Sequence, residues 1–280
     1  EALRILHYAS SNGINLFDAS DKYGNAEALL GEAFSGMRDK VVIATKCGLT
    51  DAGGRDFSIS YINTCIENSL ERLNTDYIDI FQLAKPNTED VSDELLLFME
   101  KNIKEGRIRH FGISVIGNDD GCAYLSKKII ESLQIFYNLI FTDNHTLIGK
   151  CAQNKKFVIV RSPLNSGVLS GTYTMNTEFD KIDSRSKVLH GDLLKERIEC
   201  VEKIKSHFNL EANEVLTLAL NFLFSNPEIN VVIPAASKLE QLKNYLTIFN
   251  KVRRLDKAEL KEILDFSQAQ LCCKGRSQFK

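Results

Sequence analysis

Short β-rich runs alternate with helical patterns along the whole chain, and this alternation restricts the fold more than any other feature. Runs rich in β-branched and aromatic residues predict seven strands, at 15–17, 41–45, 77–83, 108–114, 133–137, 157–161 and 230–233. Apolar residues at helical spacing predict helices at 26–36, 58–73, 91–105, 121–128, 144–153 and 212–225. Strands joined through helices form right-handed crossovers, so the sequence predicts a parallel sheet.

The number of strand–helix units favours a closed barrel over an open sheet. No Gly-x-Gly-x-x-Gly follows the first predicted strand, which argues against a doubly wound dinucleotide-binding sheet. A (β/α)8 TIM-type barrel has eight strands, whereas this chain opens on an amphipathic helix that ends at Gly13. Either the first strand lies upstream of this sequence or the barrel is incomplete, and we favour an absent N-terminal first strand. No repeat or Pro/Gly-rich linker divides the chain, so we expect a single domain over residues 1–280.

Charge, hydropathy and cysteine usage argue against several classes of protein. The chain carries 35 Lys and Arg against 37 Asp and Glu, so it has no excess charge that would attract nucleic acid or an anionic membrane. No apolar run approaches the ~20 residues that cross a bilayer, and the opening helix does not have the pattern of a signal peptide. The cysteines lack metal-ligand spacing and predict reduced thiols in a cytosolic protein without a metal site; they are Cys47, Cys65, Cys122, Cys151, Cys200, Cys272 and Cys273. The long aperiodic segment 171–194 is expected to be a functional loop.

Chemically active residues stand at the ends of the first two predicted strands. Asp18 ends the first strand, Tyr23 follows in the next loop, and Lys46 ends the second strand. Each has an ordinary structural interpretation: a turn cap, a half-buried anchor and a solvated cation. Together they favour acid–base chemistry, because an ammonium beside a phenol makes the phenol more acidic and a carboxylate holds the ammonium in place. Active sites of barrels form where the strands end.

The same residues carry a resemblance to the aldo-keto reductase family. The stretch GINLFDASDKYGNAEALLG is similar to the family's opening signature, with Ala26 in place of a serine. The segments VVIATKCG, LERLNTDYIDIFQL, GRIRHFGIS, LQIFYNLI, SPLNSGVLSG and NVVIPAASKLEQL follow in the family's order. The resemblance implies a (β/α)8 barrel that binds NADPH and reduces a small-molecule carbonyl substrate. It also implies that Tyr23 donates a proton to the carbonyl oxygen, that Lys46 promotes this transfer, and that Asp18 pairs with Lys46.

The family's catalytic histidine is missing. The family ends its fourth strand in Leu/Ile-His, one residue and Pro, whereas this chain reads QLAKPN and places Ala84 at the histidine position. Lys85 falls where the family tolerates Trp, Arg or Lys, and strand alternation predicts that it points away from the Ala84 face. Loss of one donor to a developing oxyanion typically costs about 2.7–4 kcal/mol. Ordinary aldehyde reduction is therefore expected to be impaired without being abolished.

The resemblance also assigns a cofactor site. It implies contacts with NADPH from Ser114, Gln134, Arg161, Ser162, Leu164, Gly167, Ser237, Lys238 and Gln241. Arg161 replaces an aromatic residue that stacks on the nicotinamide, so it is expected to favour the reduced cofactor. Lys238 stands at a predicted helix N-terminus near the 2′-phosphate position and favours NADPH over NADH.

Three functions are compatible with this pattern. The first is an NADPH-dependent oxidoreductase with an atypical catalytic set, acting on a carbonyl such as that of a sugar. The second is a nucleotide-binding regulatory or scaffold barrel with little turnover, which Ala84, Val115 and Tyr245 favour. The third is a redox-independent lyase that uses the Tyr23–Lys46 pair as acid and base. We favour the enzyme, because a scaffold has no need for Asp18, Tyr23 and Lys46 together.

Overall fold

Seven parallel strands form one sheet in the computed structural model, which describes residues 1–181 and 183–271. The strands are β1 (Leu16–Asp18), β2 (Val42–Cys47), β3 (Ile78–Ala84), β4 (Ile108–Ser114), β5 (Ile130–Phe136), β6 (Phe157–Arg161) and β7 (Val231–Ile233). The helices are α1 (Ala2–Ser11), α2 (Ala26–Ala33), α3 (Ile59–Leu73), α4 (Asp93–Lys104), α5 (Asn118–Ala123), α6 (His145–Gln153), α7 (Gly191–Phe208), α8 (Ala212–Phe224), α9 (Leu239–Phe249) and α10 (Lys257–Gln270). Short 3-10 helices span Arg38–Lys40, Thr88–Asp90, Asn165–Ser170 and Ser184–Lys187.

The sheet curls into a barrel that is closed except between its first and last strands. Each strand pairs with the next in parallel, and no pairing between β7 and β1 occurs among the described residues. In a flat sheet β1 and β5 would lie roughly 19 Å apart, yet the amide of Gln134 on β5 lies 2.7 Å from the carboxylate of Asp18 on β1. The sheet therefore wraps around its interior. The predicted TIM-type barrel is confirmed, and its seven strands are those that the sequence predicts.

The register of the strands decides which side chains face the interior. Ala44 lies beside Ile80 across β2 and β3, and Ile159 lies beside Val231 across β6 and β7. Ala44, Ile80 and Ile159 form an apolar cluster separate from the main core, as expected for a layer inside the barrel. Alternate residues of a strand share a face. The same parity brings these strand-end residues to the inner face: Asp18, Lys46, Ala84, Ser114, Gln134, Phe136 and Arg161.

The outer face of the sheet is covered by helices. Phe81 and Ile113 on the strands and Ile66 and Met99 on the helices are fully buried in one continuous core. Strand β3 is buried along its whole length. Strands buried on both faces are expected to be almost entirely apolar. Gly31 lets α2 approach α3 closely, because a β-carbon there would lie 2.6 Å from a backbone oxygen of the neighbouring helix. The carboxyl ends of the strands meet at one open end of this barrel, here called the mouth.

Several predicted bounds were wrong. The helix predicted at 121–128 is α5, Asn118–Ala123, and β5 begins at Ile130 rather than three residues later. The aperiodic segment 171–194 ends earlier than predicted, because α7 already begins at Gly191. Helices α7 and α10 were missed, since closely spaced charges leave each with only a narrow apolar stripe. Cys47, Cys65, Cys122 and Cys151 are free thiols, whereas Cys272 and Cys273 lie outside the described residues.

Candidate active site

A buried ion pair lies at the mouth between β1 and β2. Lys46 Nζ is 2.6 Å from Asp18 Oδ2 and 2.9 Å from the carbonyl oxygen of Ala19. The second carboxylate oxygen, Oδ1, accepts a hydrogen bond of 2.7 Å from Gln134 Nε2. The two charged side chains are 6% and 9% exposed, so water contributes little to their solvation. Asp18, Lys46 and Gln134 form what we call the paired side of the mouth, where each charge has a partner.

Tyr23 lies above this pair on the loop after β1. Its ring centroid is 4.8 Å from Lys46 Nζ, and the residue is 55% exposed, so the phenol faces solvent at the mouth. The loop is held in place from both ends. Tyr23 N–H donates to the carbonyl oxygen of Ser20, and Ser20 Oγ donates to the carbonyl oxygen of Lys46. The structure thus brings together the three residues that the sequence predicts to be catalytic.

Gln134 has a different contact from the one that the resemblance implies. The resemblance assigns its amide to a cofactor, whereas here the amide nitrogen is bonded to Asp18 and the amide oxygen accepts from Ser114 Oγ at 3.4 Å. Gln134 is completely buried. Its contact with Asp18 joins strands that are distant in the chain, so no local sequence pattern predicts it. Gln134 therefore acts as a second anchor of the buried carboxylate.

Ala84 and Lys85 stand at the end of β3, where the family's histidine would be. Ala84 is buried and lies beside Ser114 in the sheet. The argument from strand alternation fails at Lys85, because the strand ends at Ala84 and Lys85 has a left-handed φ of 57°. Its backbone N–H still donates to the carbonyl oxygen of Ser114. Burial, followed by the nearby charges of Arg161 and Arg55, lowers the pKa of Lys85 to about 8. Lys85 therefore belongs to the mouth.

Arg161 extends from the end of β6 into the same region. Its Nη2 donates to the carbonyl oxygen of Val115 at 3.3 Å, and its guanidinium carbon is 5.2 Å from the ring centroid of Phe136. Its Nε is buried without a hydrogen-bond partner. Burial lowers the pKa of Arg161, and the nearby Tyr23 and Asp18 act in the opposite direction.

Among the described residues, no ion pair includes Arg161 or Arg55. Arg55 lies at the rim and donates a hydrogen bond of 3.4 Å to Asn87 Oδ1. Arg161 and Lys85, with Arg55 at the rim, form what we call the cationic side of the mouth. Its charges repel one another, in contrast to those of the paired side.

The loop after β6 contains the residues predicted to hold a pyrophosphate. Ser162 and Gly167 have left-handed φ values of 53° and 93°, and Leu164 between them is buried. A β-carbon at Gly167 would lie 2.4 Å from the hydroxyl of Tyr173, so the loop requires glycine there. Asn165 is completely buried, and both polar atoms of its side chain lack a hydrogen-bond partner. The sequence analysis missed Asn165, although it lies within the matched segment SPLNSG.

The predicted 2′-phosphate site lies at the N-terminus of α9. Gln241 Oε1 accepts hydrogen bonds from the backbone N–H groups of Ser237 and Lys238, at 2.9 and 3.2 Å. The next backbone donor, from Leu239, is bonded to Glu1 Oε1 at 3.2 Å. These amides are therefore already used within the protein. The exposed ammonium of Lys238 is the group at this position that remains available to an anion.

Residues 1–181 and 183–271 contain no group of three or more His, Cys, Asp or Glu side chains that could hold a metal ion. Within the same residues, no helix is both long enough and apolar enough to cross a membrane.

Comparisons with known proteins bear on the family and the fold of this chain. The sequence model of the aldo/keto reductase family matches residues 1–267. An uncharacterized oxidoreductase, YqkF, of Bacillus subtilis is 31% identical over 271 residues, which cover 94% of this chain and 86% of that protein. An NADH-specific methylglyoxal reductase of Escherichia coli is 26% identical and covers 85% of this chain and 79% of its own length. The solved structure of the aldo-keto reductase AKR11C1 from Bacillus halodurans, in its holo form, has a TM-score of 0.76 and 26% identity, covering 94% and 86% of the two chains.

Proposed function

Because this chain belongs to the aldo/keto reductase family, we propose that it reduces a carbonyl group of a small molecule with NADPH, with Tyr23 as the proton donor. The observation that carries this proposal is the buried Asp18–Lys46 pair beneath an exposed phenol. Lys46 Nζ lies 4.8 Å from the centroid of that ring and is paired with Asp18 from below, so the phenol stands beside a cation that the fold already holds in place.

Four residues of the protein have separate roles in proton transfer. Tyr23 donates its proton to the carbonyl oxygen as negative charge develops there, and the ammonium of Lys46 stabilises the phenolate that remains. Asp18 keeps Lys46 charged and in place, and Gln134 fixes Asp18 by binding its second oxygen. Proton transfer by a positioned side chain typically contributes about 10²–10⁴ in rate. Buried Ala84 has no donor to offer, so the carbonyl oxygen is polarised by Tyr23 with less help than in the family.

The residues of the β6 loop fit a nicotinamide nucleotide. The unpaired side chain of Asn165 and the left-handed backbone around Ser162 and Gly167 offer polar groups that the fold leaves unused. When bound, the nucleotide supplies the hydride. Lys238 adds a cation at the N-terminus of α9, which favours a nucleotide with an additional phosphate. The proposed cofactor contacts are those of Arg161, Ser162, Leu164, Gly167 and Lys238. Contacts from Ser114, Gln134, Ser237 and Gln241 require that these residues exchange the hydrogen bonds that they form within the protein.

The catalytic part of the proposal is tested by a Tyr23→Phe variant. We expect NADPH consumption with a panel of aldehydes and sugars to fall about 10²–10⁴-fold, while the affinity for the nucleotide is retained. Tyr8→Phe on the outer helix α1 is the matched control and should keep full activity. A Tyr23→Phe enzyme that retains most of its activity would exclude Tyr23 as the donor. If the unaltered protein binds the nucleotide but reduces no carbonyl, the scaffold function is favoured instead.

The cofactor part is tested by calorimetry with NADPH and NADH. We expect NADPH to bind more tightly, and Lys238→Ala to narrow the difference by about 1.5–3 kcal/mol if the lysine contacts the phosphate. Lys243→Ala is the control, because Lys243 lies one turn further along α9 and pairs with Glu240. Equal affinity for the two nucleotides would exclude the proposed 2′-phosphate site. The protein would then be more similar in its cofactor preference to the NADH-specific methylglyoxal reductase.

A further inference from the structure

Two thiols lie behind the strand end that carries Lys46, on the outer side of the sheet. Cys47 is the last residue of β2 and directly follows Lys46. Because successive residues of a strand face opposite sides, the inward Lys46 turns Cys47 outward, towards the helices. Cys65 lies on α3, which packs against β2. Both side chains are free thiols buried in the same core cluster.

A hydrogen bond from α3 fixes this helix against the end of β2. Tyr61 stands one turn before Cys65 on the same face of α3. Its hydroxyl donates a hydrogen bond of 2.8 Å to the carbonyl oxygen of Leu49, two residues beyond Cys47. The helix face that carries Cys65 therefore meets the chain that carries Cys47, and the two thiols are hydrogen-bonded to each other.

Cys65 also contacts the loop that carries Tyr23. Its Sγ lies 4.0 Å from Asp21 Oδ2, and Asp21 N–H donates a hydrogen bond of 3.1 Å to the carbonyl oxygen of Lys46. That carbonyl group belongs to the peptide bond between Lys46 and Cys47, so a second contact brings Cys65 to the same strand end. The cluster is not a metal site, because the described residues contain no group of three His, Cys, Asp or Glu side chains that could hold a metal ion.

The two thiols differ in how readily they can react. The hydrogen bond with Cys47 lowers the pKa of Cys65, although burial and the nearby carboxylate of Asp21 oppose this effect. Burial raises the pKa of Cys47 well above its usual value. Cys65 is also the less deeply buried of the two, with 6% of its surface exposed against 1% for Cys47. Since the thiolate is the nucleophile, we expect Cys65 to react first and Cys47 to react with the product.

We propose that Cys65 and Cys47 form a reversible disulfide when the protein meets hydrogen peroxide, and that this bond lowers the activity by moving the strand end that carries Lys46. The Cys65 thiolate attacks one peroxide oxygen, the O–O bond breaks, and the sulfur becomes a sulfenic acid while hydroxide leaves and takes up the proton that the thiol has lost. The sulfur of Cys47 then attacks the sulfenic acid, so that the S–S bond forms, the S–O bond breaks, and hydroxide leaves with the thiol proton of Cys47. The two thiols lose two electrons, and the peroxide is reduced to two molecules of water.

The disulfide acts on catalysis through the backbone. An S–S bond of about 2.05 Å is shorter than any contact between two separate thiols, so its formation draws Cys47 towards α3. The neighbouring carbonyl oxygen of Lys46 accepts the hydrogen bonds from Ser20 Oγ and Asp21 N–H that hold the loop of Tyr23. A displacement of about 1 Å in a catalytic site can cost about a hundredfold in rate. We therefore expect the oxidised protein to bind the nucleotide but to reduce carbonyls more slowly.

Peptide mapping tests the bond without any need for catalysis. Trypsin places Cys47 in the peptide 47–55 and Cys65 in the peptide 56–72, so the disulfide joins two separate peptides. The protein is treated with hydrogen peroxide, its remaining thiols are blocked with N-ethylmaleimide, and it is digested without a reductant. We expect the two peptides to appear as one linked species that dithiothreitol separates. If they stay unlinked, or if Cys47 is linked to a different cysteine, the proposal is wrong.

Cysteine variants test the effect on activity, which rests on the proposed function. After peroxide treatment, we expect kcat of the unaltered protein to fall at least about tenfold and to recover with dithiothreitol, while the affinity for NADPH is retained. Cys65→Ser should prevent both the linked peptide and the loss of activity. Cys151→Ser is the matched control, because Cys151 is a completely buried free thiol on α6, and it should leave the sensitivity to peroxide unchanged.

The two experiments separate the disulfide from the proposed function. If the unaltered protein reduces no carbonyl, the proposed function fails, and the linked peptide still decides whether the disulfide forms. A linked peptide without any change in kcat would overturn the effect on activity. An equal loss of activity in Cys65→Ser, whose folding is checked by circular dichroism, would overturn it as well.

Discussion

The two sides of the barrel mouth differ in how the charges of their side chains are compensated. On the paired side, Lys46 and Asp18 compensate each other and Gln134 binds the remaining carboxylate oxygen. On the cationic side, Arg161 and Lys85 lie near each other, and Arg161 keeps an unpaired donor. The first arrangement is complete in the protein alone, as a site for proton transfer requires. The second leaves one guanidinium nitrogen of Arg161 without an acceptor among the described residues, so the comparison separates a compensated ion pair from an arginine that forms none.

The largest expected effect comes from breaking the paired side. Lys46→Met leaves the carboxylate of Asp18 buried without its cation, which typically costs about 3–5 kcal/mol. Urea unfolding should show this loss in the free energy of unfolding. Lys127→Met is the matched control, because Lys127 pairs with Asp93, whose side chain is 86% exposed. Its loss should cost less than about 1 kcal/mol. Equal effects of the two variants would mean that the buried pair is not preorganised.

Restoring the missing imidazole at position 84 should raise the rate of carbonyl reduction. Ala84→His adds a donor for the carbonyl oxygen, and one such donor is worth about 2.7–4 kcal/mol of transition-state stabilisation. We therefore expect kcat for an uncharged aldehyde such as nitrobenzaldehyde to rise up to about a hundredfold. Introducing a large side chain at a buried position can cost about 1–3 kcal/mol in stability, which thermal unfolding would show. A stable, nucleotide-binding variant without any gain would mean that the pocket around Ala84 has diverged from the family's chemistry.

The cationic side should tolerate the loss of its arginine. Arg161→Met removes a buried cation that has no counter-ion, so the free energy of unfolding should change by less than about 1 kcal/mol. The same urea experiment that detects the effect of Lys46→Met measures this difference. A loss of about 3 kcal/mol or more would show that Arg161 is part of the structural framework, and the contrast between the two sides would then disappear.

The smallest effect expected is a dependence on pH through Lys85. Its pKa is lowered to about 8, so its ammonium is mostly charged at about pH 7 and mostly neutral at about pH 9. Since only the charged form attracts an anion, KM for succinic semialdehyde should rise severalfold over this range relative to KM for uncharged butanal. The arginines that face Lys85, Arg161 and Arg55, keep their charge. Dividing the two KM values removes other titrations, and Lys85→Met should flatten the profile. A ratio that is independent of pH in the unaltered enzyme would place Lys85 outside the binding site.

The fold was predictable from the sequence because most strands and helices are indicated by the residues within them. Strands at 108–114 and 157–161 have the bounds that the sequence predicts. The run at 157–161 is almost continuously apolar, as expected for a strand buried on both faces. Helix α7 was not predictable in this way. Its buried residues alternate with charged ones along Gly191–Phe208, so its position depends on packing against the rest of the barrel.

The site was predictable only as far as single strand ends reveal it. Asp18, Tyr23 and Lys46 could be predicted from their spacing, because each stands at a strand end or in the loop directly after one. The hydrogen-bond partner of Gln134 and the direction of the chain at Lys85 could not be predicted. The first depends on how the sheet curls, and the second on a left-handed residue directly after β3. The unpaired edge of Arg161 likewise depends on the register that sets Arg161 beside Phe136.

The hydrogen bond between Gln134 and Asp18 also bears on how the protein reaches its active form. The two residues are 116 positions apart in the chain, and their strands do not touch within the sheet. Contacts across such separations close large loops, and they form late and slowly when a chain folds. The carboxylate that holds Lys46 is thus positioned only after β1 and β5 have both docked. During refolding, recovery of activity should therefore follow recovery of helix and sheet, so that catalysis reports the completion of the barrel rather than its beginning.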